Sequence, residues 1–589
     1  MNCRDAAHAL SQISVLLELH HGDTDAVKAM QTASRVVSAL GDTELGAALE
    51  GALAGAEALA PAALEVLRDL IASNSASLLE RLQEEIPEGL LEMLRVPGLG
   101  PARIRSLYEH LHIESLLELE LAANDGRLAA VPKFGAKTAD KVRKALADLR
   151  ATGAHVLWQH ARAEAERLAA MMRAHPDVLR LEIAGSLRRC TELVRDVDIV
   201  AAVRGSPSVV AASLAQSCGA QEVVGGGGRT LSLRLDNGVR VDLACVRPEQ
   251  FTLAWWRATG NATHVQQVIT HAAALGYSMA LDELRDRTGT IVPIADEPAF
   301  YARLGLMYVP PEQREGVGEV DAAARDALPV GVEEADLRGA LHCHSQYSDG
   351  STSIEQMARA ARARGLCYLG VSDHSQSNTY AGGLSRDRIL EQHAEIDAIN
   401  AKFAAEGTDF RVLKGIEADI LPCGRVDYDA AFLDRFDFVI GSVHTRYGMN
   451  AEQMTNRVLK ALDDPHLTIL GHPTGRLLLT REPYAIDLHA VIEKAGRVGV
   501  AIELNADPHR LDIDWKACRI AAEKGTMVSI GPDAHSPQGF ENLELGAAIA
   551  RKGWLEPRHV LNTRSADEVL AFARARRAAA SSVQDFRIE

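Results

Sequence analysis

In the second half of the chain, six short apolar runs each end on a histidine or a carboxylate. "RGALHCH" ends on His342 and His344, "CYLGVSDH" on Asp373 and His374, and "RVLKGIE" on Glu417. "FDFVIGSVH" ends on His444, "LTILGH" on His472, and "MVSIGPDAH" on Asp533 and His535. Amphipathic helical stretches separate these runs to about residue 575. Such alternation predicts a parallel, barrel-like α/β domain. In a barrel all strand C-termini open on one face, where active sites sit. A lone histidine after a strand is usually structural or solvated; the same coincidence at six strand ends points to a metal centre.

With Asp349, five residues beyond His344, nine residues are candidate ligands: His342, His344, Asp349, His374, Glu417, His444, His472, Asp533 and His535. Nine donors exceed what one ion takes and suit a two- or three-metal cluster. Imidazole and carboxylate without thiolate favour Mn2+, Zn2+ or Fe2+ over a structural Cys-zinc site. Clusters of this type bind a phosphate ester and stabilise the leaving oxygen of an in-line displacement. Cys343 should point to the other side of its strand and reads as a small packed thiol.

At 589 residues the chain is too long for one core. No apolar run is long enough to span a bilayer. The start, "MNCRDAAHAL", lacks the basic-then-apolar layout of a signal peptide. The eight cysteines form no CxxC pair, which fits a reducing compartment. A cytoplasmic protein is expected, with no membrane partner. The net charge of −17 opposes nucleic acid at long range, since phosphate binding needs local positive charge. A metal-binding protein is nevertheless acidic until its cations are counted.

The chain reads as helical to about residue 178, then as strands: "LRLEIAGS", "RDVDIVAAV" and "LSLRLDNGVRVDLACV". The last is a hairpin with Asn237-Gly238 at its tip. A Pro-, Gly- and acid-rich stretch from residue 308 to 337 reads as an extended linker, with a boundary near 325–335. Asp196 and Asp198, two apart on a predicted strand, project from one face. Asp242 lies on the following hairpin. Three such carboxylates can hold two Mg2+ ions, as nucleotidyl transfer requires. Gly185-Ser186 follows a strand, and its backbone N–H groups, the Ser186 hydroxyl and Arg189 can hold a triphosphate.

"VPGLGPARIRSLYEHL" (96–111) has the apolar-Pro-Gly-x-Gly turn of a helix-hairpin-helix, followed by Arg103 and Arg105. Gly98 and Gly100 let the backbone approach a DNA phosphate without reading sequence. "VPKFGAKTADKVRKAL" (131–146) is a looser second copy with Lys133, Gly135 and Lys137. These local clusters answer the unfavourable net charge.

The segment from about 335 to 572 resembles, motif by motif, the polymerase-and-histidinol-phosphatase (PHP) domain. The resemblance implies a distorted (β/α)7 barrel holding three ions, Mn2+ or Zn2+. His342, His344, Glu417 and Asp533 would hold one. Glu417 would bridge to a second, held by His444 and His472, and Asp349, His374 and His535 would hold the third. "AGSLRRCTELVRDVDIV", "ATGNATHVQQVITHAAALGY" and "FYARLGLMYVPPEQREG" are similar to family X DNA polymerases. With the PHP segment appended, the whole chain resembles the bacterial members. That implies Asp196 and Asp198 on both Mg2+ ions and Asp242 activating the primer 3′-hydroxyl. Gly185, Ser186, Arg189, Gly260 and Asn261 would receive the dNTP.

The resemblance implies a multidomain chain: a helical DNA-binding domain (1–90), helix-hairpin-helix fingers (91–150) and an α+β nucleotidyltransferase palm (151–248). A thumb (249–325), a linker (326–338) and the PHP barrel (339–589) follow. Gap-filling DNA polymerisation in repair is expected, with a metal-dependent 3′–5′ exonuclease and AP-endonuclease activity, by a monomer on gapped or primer–template DNA near the nucleoid. Family members commonly carry Tyr-Phe-Thr-Gly-Ser where this chain has Arg257-Ala258-Thr259-Gly260-Asn261, and Cys190 replaces a glycine. Two alternatives are a DNA-binding phosphoesterase with weak or lost polymerase activity, and a small-molecule phosphatase of the histidinol-phosphate type. With no Lys between residues 40 and 92, no Schiff-base lyase activity is expected there.

Overall fold

The computed structural model describes the chain except residues 21–23, 54–58, 74–75, 97, 112, 114–115, 125, 132–133, 152–154, 236–237, 380 and 586–589. Contacts divide it into two compact units. One comprises residues 1–95, 99–115 and 331–589; the other comprises 96–98 and 116–330. Among the described residues no helix is long and apolar enough to cross a membrane.

The N-terminal helices are amphipathic. Leu10, Ile13 and Leu17 on Cys3–His20 recur at helical spacing and are buried. Helix α1 (Pro101–Leu111) opens with proline at its first position, where the missing N–H costs nothing. It buries Ile104 and Leu107. Gly98, just before it, has φ +81°, a conformation that favours glycine.

In the second unit, helix α2 (Ala136–Ala151) precedes a five-stranded sheet. The sheet comprises β1 (Val178–Ile183), β2 (Val197–Val203), β3 (Ala220–Gly227), β4 (Thr230–Leu235) and β5 (Arg240–Val246), in the order β1-β2-β5-β4-β3. Alternation sorts its faces. Val197, Ile199, Ala201 and Val203 join one core with the helices Trp158–Arg173 and Pro207–Ser217. Val200 and Ala202 face the other way, against Phe251 and Ala254. Asp198 shares that second parity. Helix α3 (Gly185–Arg188) is a single turn after β1, and helices α4 (Phe251–Thr259) and α5 (Ala262–Ala274) follow the sheet. A small antiparallel sheet of β6 (Ser278–Ala280), β7 (Glu283–Arg285) and β8 (Ile291–Val292) comes next.

The stretch expected to be an extended linker contains the helix Glu319–Ala324. Buried Glu319, 2.7 Å from His264, anchors it, and Gly318 at φ +104° turns the chain into it. At residue 332 the chain joins the barrel, where Val332 N–H bonds Leu555 C=O at 2.8 Å.

The barrel strands are β9 (Gly339–Ala340), β10 (Tyr368–Val371), β11 (Arg411–Asp419), β12 (Phe438–Ser442), β13 (Ile469–Leu470), β14 (Ala501–Asn505) and β15 (Val528–Gly531). All neighbours are parallel and in sequence order. A parallel bridge between Cys343 and Ala534 joins the two edges, and the Asn562 amide spans them by donating to Gly339 C=O and Ile530 C=O, each at 3.0 Å, so the barrel is nearly closed. Phe438 fills its centre: a Cβ on Gly415 would come within 2.2 Å of that ring, and one on Gly370 within 2.6 Å. The connecting helices begin with capping boxes at Ser353/Gln356 and Asn450/Gln453.

Candidate active sites

The palm carboxylates meet because β2 and β5 run parallel with Asp198 opposite Asp242, while Asp196 immediately precedes β2. Ser232, opposite Asp242 on β4, donates its hydroxyl to that carboxylate. A Cβ on Gly185 would stand 1.7 Å from Asp198 Oδ2, and the residue has φ +66°, so glycine is required there by both space and backbone. Burial, and then the charges of Asp196 and Asp242, push Asp198 up to about 7, with Arg189 opposing. A carboxylate raised by like charges is one a cation would return to its ionised form.

Around this triad the nucleotide candidates have partners already. Arg189 donates to Thr259 C=O at 2.7 Å and to Glu315 at 3.3 Å. Asn261 caps α5 through His264 N–H at 3.0 Å, and its amide donates to the Glu315 backbone at 3.0 Å. Gly260 is pressed against α5, where a Cβ would lie 3.2 Å from His264 and Val265. Ser186 is half-buried on the single turn of α3. Arg257 pairs with Asp282 at 2.9 Å. Cys190 has φ +51°, the left-handed region in which glycine is unstrained.

In the barrel, the strand ends bring the nine candidates together. Glu417, on β11 and fully buried, is the hub. Its Oε1 lies 3.3 Å from His342 Nε2, 3.2 Å from His444 Nε2 and 3.0 Å from His472 Nε2. Its Oε2 lies 2.8 Å from His374 Nδ1. Asp533 Oδ1 stands 3.4 Å from His342 and 3.3 Å from His344. Asp349 approaches His374 at 3.3 Å and His535 at 3.4 Å. Donor atoms within 4.8 Å of one another form four overlapping sets. These are His344/Asp349/His374/His535, His342/His344/Asp533, His342/Glu417/His472 and His374/Glu417/His444.

The residues present fit metal ions. Among the described residues, His342 Nε2, both ring nitrogens of His344 and His472 Nδ1 are buried without a hydrogen-bond partner, which is costly unless a cation takes their lone pairs. Burial opposes charge on His342, but Glu503, Asp533 and Glu417 overcome it and raise its pKa well above the ordinary value. Burial likewise opposes ionisation of Glu417, and His444, His342 and His374 reverse it, holding that carboxyl well below its usual range. A metal entering such a network displaces protons.

Of the helix-hairpin-helix candidates, Arg103 is exposed on the first turn of α1. Arg105 is half-buried, reaching Glu18 C=O at 3.4 Å and Glu109 at 3.4 Å. Among the described residues no atom lies within 4 Å of a Cβ built on Gly98, Gly100 or Gly135, so no side chain crowds these turns. Lys137 is exposed near the start of α2, and Lys133 lies outside the described residues, as does Asn237 of the hairpin tip.

Residues 340–507 match the PHP domain, 90–148 a SAM-like helix-hairpin-helix tandem, and 254–315 the DNA polymerase beta thumb. The DNA polymerase/3′-5′ exonuclease PolX of Bacillus subtilis is 33% identical over 575 residues, 97% of this chain and 99% of that protein. The chain belongs to the PolX family. A "Probable phosphatase" of Syntrophotalea carbinolica is 26% identical over 38% of this chain and 90% of that protein. Another, from Caldanaerobacter subterraneus, is 30% identical over 33% of this chain and 74% of its own length.

This PolX chain also holds supporting residues, some of which strand-end reading missed. Asp419 accepts from His444 Nδ1 at 2.7 Å and so turns Nε2 towards Glu417. The i, i+2 pair Glu417/Asp419 on one strand was the available signal. Asp373, at a strand end, lies outside the four sets; it accepts Ser345 N–H at 2.7 Å and Gln392 at 2.6 Å, bracing the loop that carries Asp349. Beyond the five-stranded sheet, Glu297 bridges Arg188 (2.8 Å) and fully buried Arg314 (2.8 Å). Against the cost of burial, the two arginines hold Glu297 at about 2. Arg188 also lies 3.3 Å over the Trp255 ring. Nothing local in the sequence joins residues 188, 297 and 314.

Proposed function

We propose that this chain fills gaps in DNA and trims DNA 3′ ends at two separate centres, one in the palm and one in the barrel. The reading rests on the completeness of both donor sets: three acids in the palm and nine ligands at the barrel mouth. Divalent cations, when bound, supply charge stabilisation for the phosphoryl oxygens in both reactions.

In the palm, Asp196, Asp198 and Asp242 are the catalytic carboxylates, and Mg2+ is the ion their hard oxygen donors suit. Asp242, oriented by the Ser232 hydroxyl, accepts the proton of the primer 3′-hydroxyl. Ser186 and Arg189 bind the dNTP phosphates, with Gly185, Gly260 and Asn261 shaping the pocket. Gly98, Gly100, Arg103, Arg105, Lys133, Gly135 and Lys137 grip the DNA backbone. In the barrel, three Mn2+ or Zn2+ ions would divide the donors as His342/His344/Glu417/Asp533, Glu417/His444/His472 and Asp349/His374/His535.

The palm spans 151–248 and the thumb 249–325. The linker is 326–338, the barrel 339–589, and helical DNA-binding segments occupy 1–90 and 91–150. The chain works as a monomer in the cytoplasm, at the nucleoid, on gapped DNA, and also cleaves at abasic sites. A second reading, a small-molecule phosphatase, is favoured by the phosphatase relatives of the barrel alone. One gapped substrate separates the two: primer extension with dNTPs and 3′ shortening without them support the first. Neither reaction, with rapid hydrolysis of a phosphate monoester, would replace it by the second.

A further inference from the structure

One barrel strand neither contains nor leads directly into any of the nine. β14 ends at Asn505, and its inward side chains are Glu503 and Asn505, 1% and 0% exposed. Glu503 Oε1 accepts His342 Nδ1–H at 2.6 Å, and Oε2 accepts the backbone N–H of His472 at 2.7 Å. Oε2 also lies 3.4 Å from the Asn505 amide, which donates to Asp533 Oδ2 at 2.9 Å. Thus one carboxylate, directly or through Asn505, touches the residues that follow β9, β13 and β15. Room for it is built in: a Cβ on Gly531 would come within 2.0 Å of Glu503 Oε1. Gly531 has no positive φ, so space, not backbone, explains that glycine.

His342 and Asp533 flank the seam where the Cys343–Ala534 bridge joins the two edges. Both have backbones in the left-handed region, at φ +68° and +49°. Such conformations persist where surrounding contacts over-determine them. An imidazole has two nitrogens, and a carboxylate on one fixes which turns to a ligand. Glu503 on Nδ1 leaves His342 Nε2 facing Glu417 and Asp533.

We propose that Glu503, which is not a ligand, is the positioning residue of the nuclease centre: it locks His342, His472 and, through Asn505, Asp533 into a preformed metal seat across the barrel seam. The proposal rests on the reading of those three residues as ligands.

The test uses the full-length chain stripped of metal, titrated with Mn2+ and followed by calorimetry and Mn2+ electron paramagnetic resonance. Four variants are compared: Glu503→Ala, Glu503→Gln, Gly531→Ala and, as control, His342→Ala. Circular dichroism and thermal melting serve as the folding control, and primer extension reports the other centre. Glu503→Ala and Gly531→Ala are expected to weaken one Mn2+ site by about 10- to 100-fold, with an altered resonance spectrum and unchanged extension. Glu503→Gln keeps an acceptor for His342 but not for the His472 N–H, and should fall between wild type and Glu503→Ala. If Glu503→Ala is unfolded, Gly531→Ala and Glu503→Gln decide. Wild-type Mn2+ affinity and spectrum in the folded Glu503 variants, with loss in His342→Ala, overturns the proposal alone. Wild-type binding in His342→Ala itself overturns the ligand reading beneath it.

Discussion

The palm and the barrel set two metal-binding solutions side by side in one chain. The palm offers three carboxylates, with Asp198 and Asp242 only half-buried. The barrel offers six imidazoles and three carboxylates, with Glu417 and His344 closed off from solvent. Hard oxygen donors near solvent suit Mg2+, which keeps much of its water and arrives with phosphates. Buried imidazoles suit transition ions that stay. The supports differ too. In the palm, Gly185 and Ser232 shape the acids by close contact, whereas in the barrel Asp419 and Glu503 orient histidines through their second nitrogens. The difference teaches that donor type and burial together separate an ion that comes with substrate from one that belongs to the fold.

Removing one centre should leave the other at work. Asp198→Ala or Asp242→Ala should lower primer extension by at least about a thousandfold, the loss of several kcal/mol of charge stabilisation. Exonuclease rates on the same DNA should stay within about twofold. Equal loss of both activities in a folded variant would mean that the centres are not separate. The reverse change, His342→Ala with His344→Ala, should abolish 3′ shortening while sparing extension, because both side chains face Asp533. Nuclease turnover at the wild-type rate in that variant would place the reaction elsewhere.

The two centres were not equally legible in the sequence. Seven of the nine barrel residues follow closely on strand ends, Glu417 lies near the end of β11 and Asp349 in the loop after His344. A parallel barrel gathers strand ends on one face, so local pattern carried most of the three-dimensional result. The triad was legible for a similar reason: D-x-D parity plus one hairpin acid. Glu503 escaped because its run, "VGVAIELN", ends on Asn505 and buries its acid one alternation earlier. Glu297 escaped because its pairing with Arg188 joins residues 109 positions apart, and Arg314 because its partner is that same Glu297. The 308–337 stretch looked extended from its composition, yet a buried hydrogen bond between Glu319 and His264 anchors part of it as a helix. Composition reports what a segment tolerates, and tertiary partners decide what it does.

Metal retention sharpens the contrast further. After desalting into metal-free buffer, elemental analysis should find Mn2+ or Zn2+ still bound to wild type and to Asp198→Ala. The His342→Ala/His344→Ala variant should lose at least one equivalent, since the sets His342/His344/Asp533 and His342/Glu417/His472 both depend on it. Metal content that followed Asp198 instead would reverse the assignment of resident and travelling ions.

The smallest expected effect lies outside both centres. Arg103→Ala removes an exposed guanidinium beside the Gly98–Gly100 turn of α1 and should weaken DNA binding equally across sequences, because phosphate contacts carry no base information. One lost contact lowers the salt slope by about 0.9. The affinity lost between about 50 and 200 mM salt should therefore shrink by a factor of about three to four. Arg105→Ala should change the slope less, because that side chain is held by Glu109 and the Glu18 carbonyl. Fluorescence anisotropy with several unrelated duplexes over a salt series measures both. Extension and 3′ shortening should decline together in Arg103→Ala at high salt, unlike either active-site variant. A loss confined to one activity, or to one DNA sequence, would show that the arginine serves a single centre or reads bases.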